Sequence, residues 1–261
     1  MASGLIIIKF GGSLITDKSK ICTPKIDAIQ KICTLVSKLN ALEKKVIVVH
    51  GAGSYGHIKA KKWRLSEGLI PELKDQLSAL NEVRDDMKKL NDLIIKCMLD
   101  NSIDARTYRP HEHGNGIGIN YKFSKLFDEI VNSENTPVVY GDVVESEDDS
   151  NFGILSGDDI CEILTRRYSP NHVIFAIDGA EGIIENPNLN PNQIIKKYVL
   201  GTKINTVDVE NDVTGGMKLK ILRASNCLKL GSRVSIINGN NTEMILNSVL
   251  GLDYIGTEFV L

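Results

Sequence analysis

Five short runs of mostly branched apolar residues, Leu5–Phe10, Val46–Val49, Pro137–Tyr140, Val173–Ile177 and Val234–Ile237, are each bounded by glycine, asparagine or charge. Continuous apolar runs of this length are what a strand covered on both faces requires. Between them lie segments of helical period, Pro24–Leu42, Gln76–Asp100, Lys122–Asn132, Asp159–Tyr168 and Met217–Leu230. Strand and helix therefore alternate, which predicts an α/β fold, a three-layer α/β/α sandwich around a mainly parallel central sheet. In the longest helical segment Leu77, Leu80, Val83, Met87, Leu90, Ile94 and Cys97 recur at three- and four-residue steps with charges opposite. That stripe predicts a core-facing helix, one end of which can also border a cleft. The 261 residues suffice for one large domain or two small ones, and no repeat, low-complexity tract or linker divides them.

Acidic and basic residues nearly balance, at a formal net charge of -2, so nothing in bulk marks a nucleic-acid binder and any anion site has to be local. The five cysteines, Cys22, Cys33, Cys97, Cys161 and Cys227, are widely spaced, odd in number and free of CxxC spacing. A disulfide framework or zinc site is therefore not expected, and a reducing cytosol fits best. The first apolar run follows no basic region and is too short for a signal peptide or a membrane span, so it reads as the first strand of a cytoplasmic protein.

Three glycine-rich turns stand where strands end or helices begin: "KFGGS" at Lys9–Ser13, "HGAGSYGH" at His50–His57 and "DVTGGMKLK" at Asp212–Lys220. Any one alone can be a tight turn and nothing more. Glycine also lets a ligand approach the backbone, and a helix start offers unpaired N–H groups, so each turn is a candidate seat for a phosphate oxygen. Lysines accompany two of them: Lys9 before Gly11 and Gly12, Lys18 shortly after, and Lys218 and Lys220 behind Gly215 and Gly216. Ammonium groups can follow phosphoryl oxygens as charge shifts during transfer, which backbone amides alone cannot do. No GxxxxGK[ST] loop, no GxGxxG after the first strand and no protein-kinase catalytic loop is present, so a nucleotide site here is of another type.

In order along the chain, "KFGGSLIT" with Lys18, "VVHGAGSYGH", "VVYGDVV", "ILSGDD", "NDVTGGM" and "IINGN" resemble the amino acid kinase superfamily and, within it, the isopentenyl phosphate kinases. The resemblance spans residues 9 to 240, and its most discriminating element is the histidine of "GSYGH". It implies a single amino acid kinase-like domain over residues 1–261, with the acceptor held by the part up to about residue 165 and ATP by the remainder, across the carboxyl ends of the strands. It also implies ATP-dependent phosphorylation of isopentenyl phosphate by direct in-line transfer, magnesium on the nucleotide, a homodimer and a place in an alternative mevalonate route.

The roles implied are these. Lys9, Lys18 and His57 form the catalytic set, with Lys18 stabilising charge in the transition state. Ala52, Gly53 and Gly56 bring N–H groups to the acceptor phosphate, beside Ser156 and Gly157, and His57 adds a side-chain donor. Gly11, Gly12, Ser13 and Gly53 border the nucleotide phosphates, Asp178, Gly215 and Lys220 lie on the nucleotide side, and Asp158 orients the lysines or helps cap a helix. Leu80, Val83, Val143 and Ile154 face a five-carbon tail, whose burial is worth about 0.8 kcal/mol per CH₂. No base is needed, because a phosphate monoester with a second pKa of about 6 is already mostly a dianion at neutral pH. The difficulty is repulsion, about 4 kcal/mol per unit pair at 4 Å in an effective dielectric of 20.

Some residues depart from the pattern. Ala52 stands where relatives often have glycine, which requires a negative φ. In "FAIDGAEGII" the step from Asp178 to Gly182 is one residue longer than in relatives, so nucleotide contacts on this loop stay open. His111 and His113 have HxH spacing but no third ligand at a telling distance, so no protein-bound metal is expected. His50 reads as structural. A fosfomycin-type kinase for another small phosphate or phosphonate, or a nucleotide-binding relative without transfer activity, remains an alternative.

Overall fold

The computed structural model describes residues 4–186, 190–202, 204 and 216–261. Eight strands form the main sheet: β1 (Leu5–Phe10), β2 (Lys45–His50), β3 (Ala105–Tyr108), β4 (Thr136–Tyr140), β5 (His172–Ile177), β6 (Lys197–Val199), β7 (Arg233–Asn238) and β8 (Thr257–Val260). Their order is β6-β8-β7-β5-β1-β2-β4-β3. The six from β7 to β3 are parallel, while β8 runs antiparallel to β7 and carries β6 parallel to itself at the edge. The helices that follow are α1 (Ile26–Ala41), α2 (His57–Lys62), α3 (Gln76–Asp100), α4 (Lys125–Asn132), α5 (Gly157–Tyr168), α6 (Gly216–Lys229) and α7 (Thr242–Leu250).

The mainly parallel sheet and its two helical layers follow from the apolar runs. Side chains alternate across a strand, so a run such as Ile6, Ile7, Ile8 must be covered on both faces. Ile6, Ile8 and Phe10 pack in one core with α1, α3 and Ile245 of α7. Ile7 packs in the other with Ile160 and Leu164 of α5 and Ala224 of α6. Each fully buried isoleucine contributes about 1.5–3 kcal/mol by leaving water.

Alternation also places Lys9 on the α5 face, with Ile7, in register with Val49 on β2 and Phe175 on β5. Beside the sheet, Asp142–Glu145 and Phe152–Leu155 pair as an antiparallel hairpin, whose ends flank the entry to α5.

Two helix starts fall later than expected. Pro24 bridges to Thr16, so α1 begins at Ile26; Lys122 and Phe123 pair with Gly114 and Asn115, so α4 begins after Ser124. Among the described residues no helix is long and apolar enough to cross a membrane.

Candidate active site

The glycine turns after β1 and β2 interlock. A Cβ at Gly12 would lie 2.2 Å from the Gly53 nitrogen, so the two backbones meet at a distance that only glycine permits. Gly53 adopts φ 51°, the left-handed region, and a Cβ there would strike Thr16 Oγ1 at 1.9 Å. That hydroxyl fastens the junction: it donates to the Gly12 carbonyl at 2.8 Å and accepts from the Ser54 N–H at 2.9 Å. Ala52 has φ −78°, the negative value that lets alanine stand at this point in the turn.

Against this junction opens a cleft. One portion of its lining is polar: Lys9, Gly12, Gly51, Ala52, Gly157 and Asp158. Another is apolar: Ala60, Val83, Met87, Val143, Ile154 and Leu155. His57 opens α2 in the same wall and is half-buried. Next to it a Cβ on Gly56 would lie 3.6 Å from Met87 Sδ, so the glycine turn meets the apolar wall at this corner.

Three charges are buried at the polar portion. Asp158 Oδ1 lies 2.9 Å from Lys9 Nζ, and its two oxygens accept from Lys220 Nζ at 2.9 and 3.0 Å. Local structure explains why Asp158 is available for this. Ser156 caps α5, its hydroxyl accepting from the Asp159 N–H at 3.0 Å while the Asp159 carboxylate accepts from the Ser156 N–H at 3.2 Å. Of the two acidic residues, Asp159 thus completes the capping box and also takes Arg223 of α6 at 2.7 Å, leaving Asp158 to face the lysines.

Burial disfavours the Asp158 carboxylate, yet Lys220 and Lys9 outweigh it and hold the group at about 2. The two lysines move in opposite directions. Burial opposes the charge of Lys9, but Asp158 more than offsets it and the group is raised. Lys220 is pushed down to about 8 by burial joined by the charge of Lys9. With two ammonium groups on one carboxylate, the first proton lost near 8 belongs to the cluster as a whole.

The expected site residues divide as follows. Lys9, Gly12, Ala52, Gly56, His57, Ser156, Gly157, Val83, Val143 and Ile154 come together in the cleft. Gly53 supports it from the junction, and Gly11 ties the end of β1 to β5 through its N–H on the Ala176 carbonyl at 2.9 Å. Leu80 is buried one turn before Val83 on α3, outside the lining, and Met87, one turn after, takes that part of the wall. Lys18 stands exposed in the turn after Thr16. The Ser13 carbonyl accepts from Lys25 Nζ at 2.8 Å, and the same ammonium reaches Asp178 at 2.9 Å beyond the end of β5. Gly215 lies outside the described residues.

Met87, Ala60 and Asp142 are lining residues that the sequence reading did not assign to the site. Met87 was within reach, since it continues the apolar stripe one turn beyond Val83; for Lys25 no local signal exists. His50 is wholly buried, stacks on Tyr140 with centroids 5.1 Å apart and is pushed down to about 4 by burial, a structural role. His111 bonds Asp142 through Nδ1 at 2.7 Å.

Residues 4–238 match the family model of the amino acid kinase family. An isopentenyl phosphate kinase of Thermoplasma acidophilum is 34% identical over 92% of this chain and 94% of its own length. Another, of Methanocaldococcus jannaschii, is 30% identical over 97% of this chain and 98% of its own. A solved structure of isopentenyl phosphate kinase superposes with a TM-score of 0.83 at 27% identity, covering 98% of this chain and 100% of that one. Matched by the family model and by relatives over most of its length, the chain belongs to the amino acid kinase family.

Proposed function

We propose that this protein transfers the γ-phosphoryl group of ATP to isopentenyl phosphate, giving ADP and isopentenyl diphosphate. An acceptor phosphate oxygen forms the new P–O bond as the bond to the β-phosphate oxygen breaks, in line and without a covalent enzyme intermediate. The observation that carries this reading is one cavity combining buried lysine charge, two glycine turns and His57 with an apolar wall. A small phosphate ester with a short hydrocarbon tail matches both chemistries. The part of the chain up to about residue 165 would hold the acceptor and the remainder the nucleotide, within a single domain.

Each group has a role the geometry permits. The Gly157 N–H stands at the start of α5, a twelve-residue helix whose dipole favours an anion at that end. His57 would donate to the acceptor phosphate, and Lys9 and Lys220 would lower the repulsion between two anions, with Lys220 on the nucleotide side. The reaction needs no proton removed by the protein. Magnesium would enter as part of the nucleotide, since both Asp158 oxygens are committed to lysines. We further propose a cytoplasmic homodimer.

ADP formation measured across isopentenyl phosphate, short alkyl phosphates and fosfomycin tests the reading. A preference for isopentenyl phosphate is expected; a preference for fosfomycin, or tight ATP binding without ADP formation on any acceptor, contradicts it. Lys18→Ala is expected to lower kcat about 10²-fold with little change in either KM, as for loss of a donor used in the transition state. Unaltered turnover removes Lys18 from the catalytic set.

The pH dependence follows from the lysine cluster. In the free enzyme kcat/KM for ATP should decline above pH 8, as the cluster that titrates at about 8 loses its proton. Bound phosphates favour the charged lysines, so the matching limb of kcat should lie at higher pH. Coincident basic limbs in the two profiles would show that nucleotide does not meet this cluster.

A further inference from the structure

Building on the reading above, we propose that Asp86 is a positioning residue, a single buried carboxylate that holds the helix carrying His57 against α3. Asp85, its neighbour in the sequence, is exposed, whereas Asp86 faces inward between the cleft-lining Val83 and Met87. A charge at a buried point of an amphipathic helix persists only when it is paired.

Its hydrogen-bonded partners are two lysines, one on α2 and one on α3 itself. Lys59 of α2, two residues after His57, donates to Asp86 Oδ2 at 2.8 Å. Cys22, four residues after Lys18, has its thiol pushed up to about 11 by burial and then by Asp86. Lys89, one turn further along α3, donates to Oδ1 at 2.9 Å.

The loop at Cys22 is fixed to the glycine turn. The Cys22 N–H donates to the Ser54 carbonyl at 3.3 Å, and the Thr23 N–H to the Ser54 hydroxyl at 3.3 Å. Cys22 itself has φ 48°, a conformation that L-residues seldom adopt and that its surroundings must hold. Asp86 thus sits where the glycine turn, the His57 helix, the Lys18 loop and the wall of the cleft converge. Lys59 has a second, exposed partner in Glu82 at 3.0 Å, so α2 stays attached to α3 when Asp86 loses its charge, but by a looser contact.

The test compares the full chain with Asp86→Asn, which keeps shape and one acceptor oxygen, and with Lys89→Met as a control that removes the partner on α3 itself. The readouts are kcat, both KM values, thermal stability and amide hydrogen exchange by segment. Asp86→Asn is expected to lower kcat by about 10- to 100-fold, to raise KM for the acceptor and to leave KM for ATP within about twofold. Exchange should accelerate at residues 56–63 while β1, β5 and α5 keep their protection. Lys89→Met should resemble the unmodified protein.

Unchanged exchange at residues 56–63 overturns the proposal. So does acceleration spread evenly over the chain, which would make Asp86 a residue of general stability. A protein that forms no ADP with isopentenyl phosphate would refute the functional reading alone, and the exchange comparison would still decide the role of Asp86.

Discussion

Asp158→Ala should lower the stability of the fold by about 3–5 kcal/mol and take phosphoryl transfer below detection. The substitution leaves two ammonium groups, Lys9 and Lys220, buried beside each other with their shared counter-charge gone, and removing one partner of a buried ion cluster has that cost. One lysine would shed its proton to relieve the repulsion, and the cleft would lose charge it needs for two anions. Urea unfolding followed by fluorescence, with ADP formation measured at the same protein concentration, reads both effects. Stability within about 1 kcal/mol of the unmodified protein would mean that water, not Asp158, satisfies the lysines.

The same pairing sets an acid limb. Asp158 is held at about 2, below the 3.8 of a free carboxyl, so its contribution is complete above 3.8 and is lost as pH falls toward 2. Asp158→Ala should therefore flatten the loss of stability over that acid window.

His57→Ala should reduce kcat/KM for the acceptor by about 10²–10³ while ATP affinity stays within twofold. The imidazole begins α2 at the corner where the glycine turn meets Met87, so its loss removes a donor from the acceptor portion and leaves the lysine cluster intact. Steady-state kinetics with each substrate varied in turn separates the two affinities. An equal loss of ATP binding would place His57 at the nucleotide instead.

The parallel core of the fold was legible because its strands are apolar on both faces: Leu5–Phe10 reads as a strand with no knowledge of its neighbours, and it is one. Edge elements were not. Ala105–Tyr108, Lys197–Val199 and Thr257–Val260 have three or four residues of mixed character, and their extended form comes from pairing with strands distant in the chain. The hairpin Asp142–Glu145 with Phe152–Leu155 pairs locally, but its four-residue strands are equally mixed in character.

For the site, glycine turns and nearby lysines were visible as local patterns, whereas partners were not. That Asp158, rather than Asp159, meets Lys9 and Lys220 depends on a capping box and on strand alternation, two local rules that converge only in the folded chain. Lys25 joins Asp178 across 153 positions, which no window of sequence contains.

A crystal structure with isopentenyl phosphate and a non-hydrolysable ATP analogue bound together tests the central claim most directly. The account predicts the acceptor phosphate against the Gly53–Gly56 turn with the His57 ring donating to it, the hydrocarbon tail along Val83, Met87, Val143 and Ile154, and the γ-phosphate beside Lys9 and Lys220. An imidazole at His57 turned away from the acceptor phosphate, or a nucleotide bound far from the Lys9–Asp158–Lys220 cluster, would contradict it.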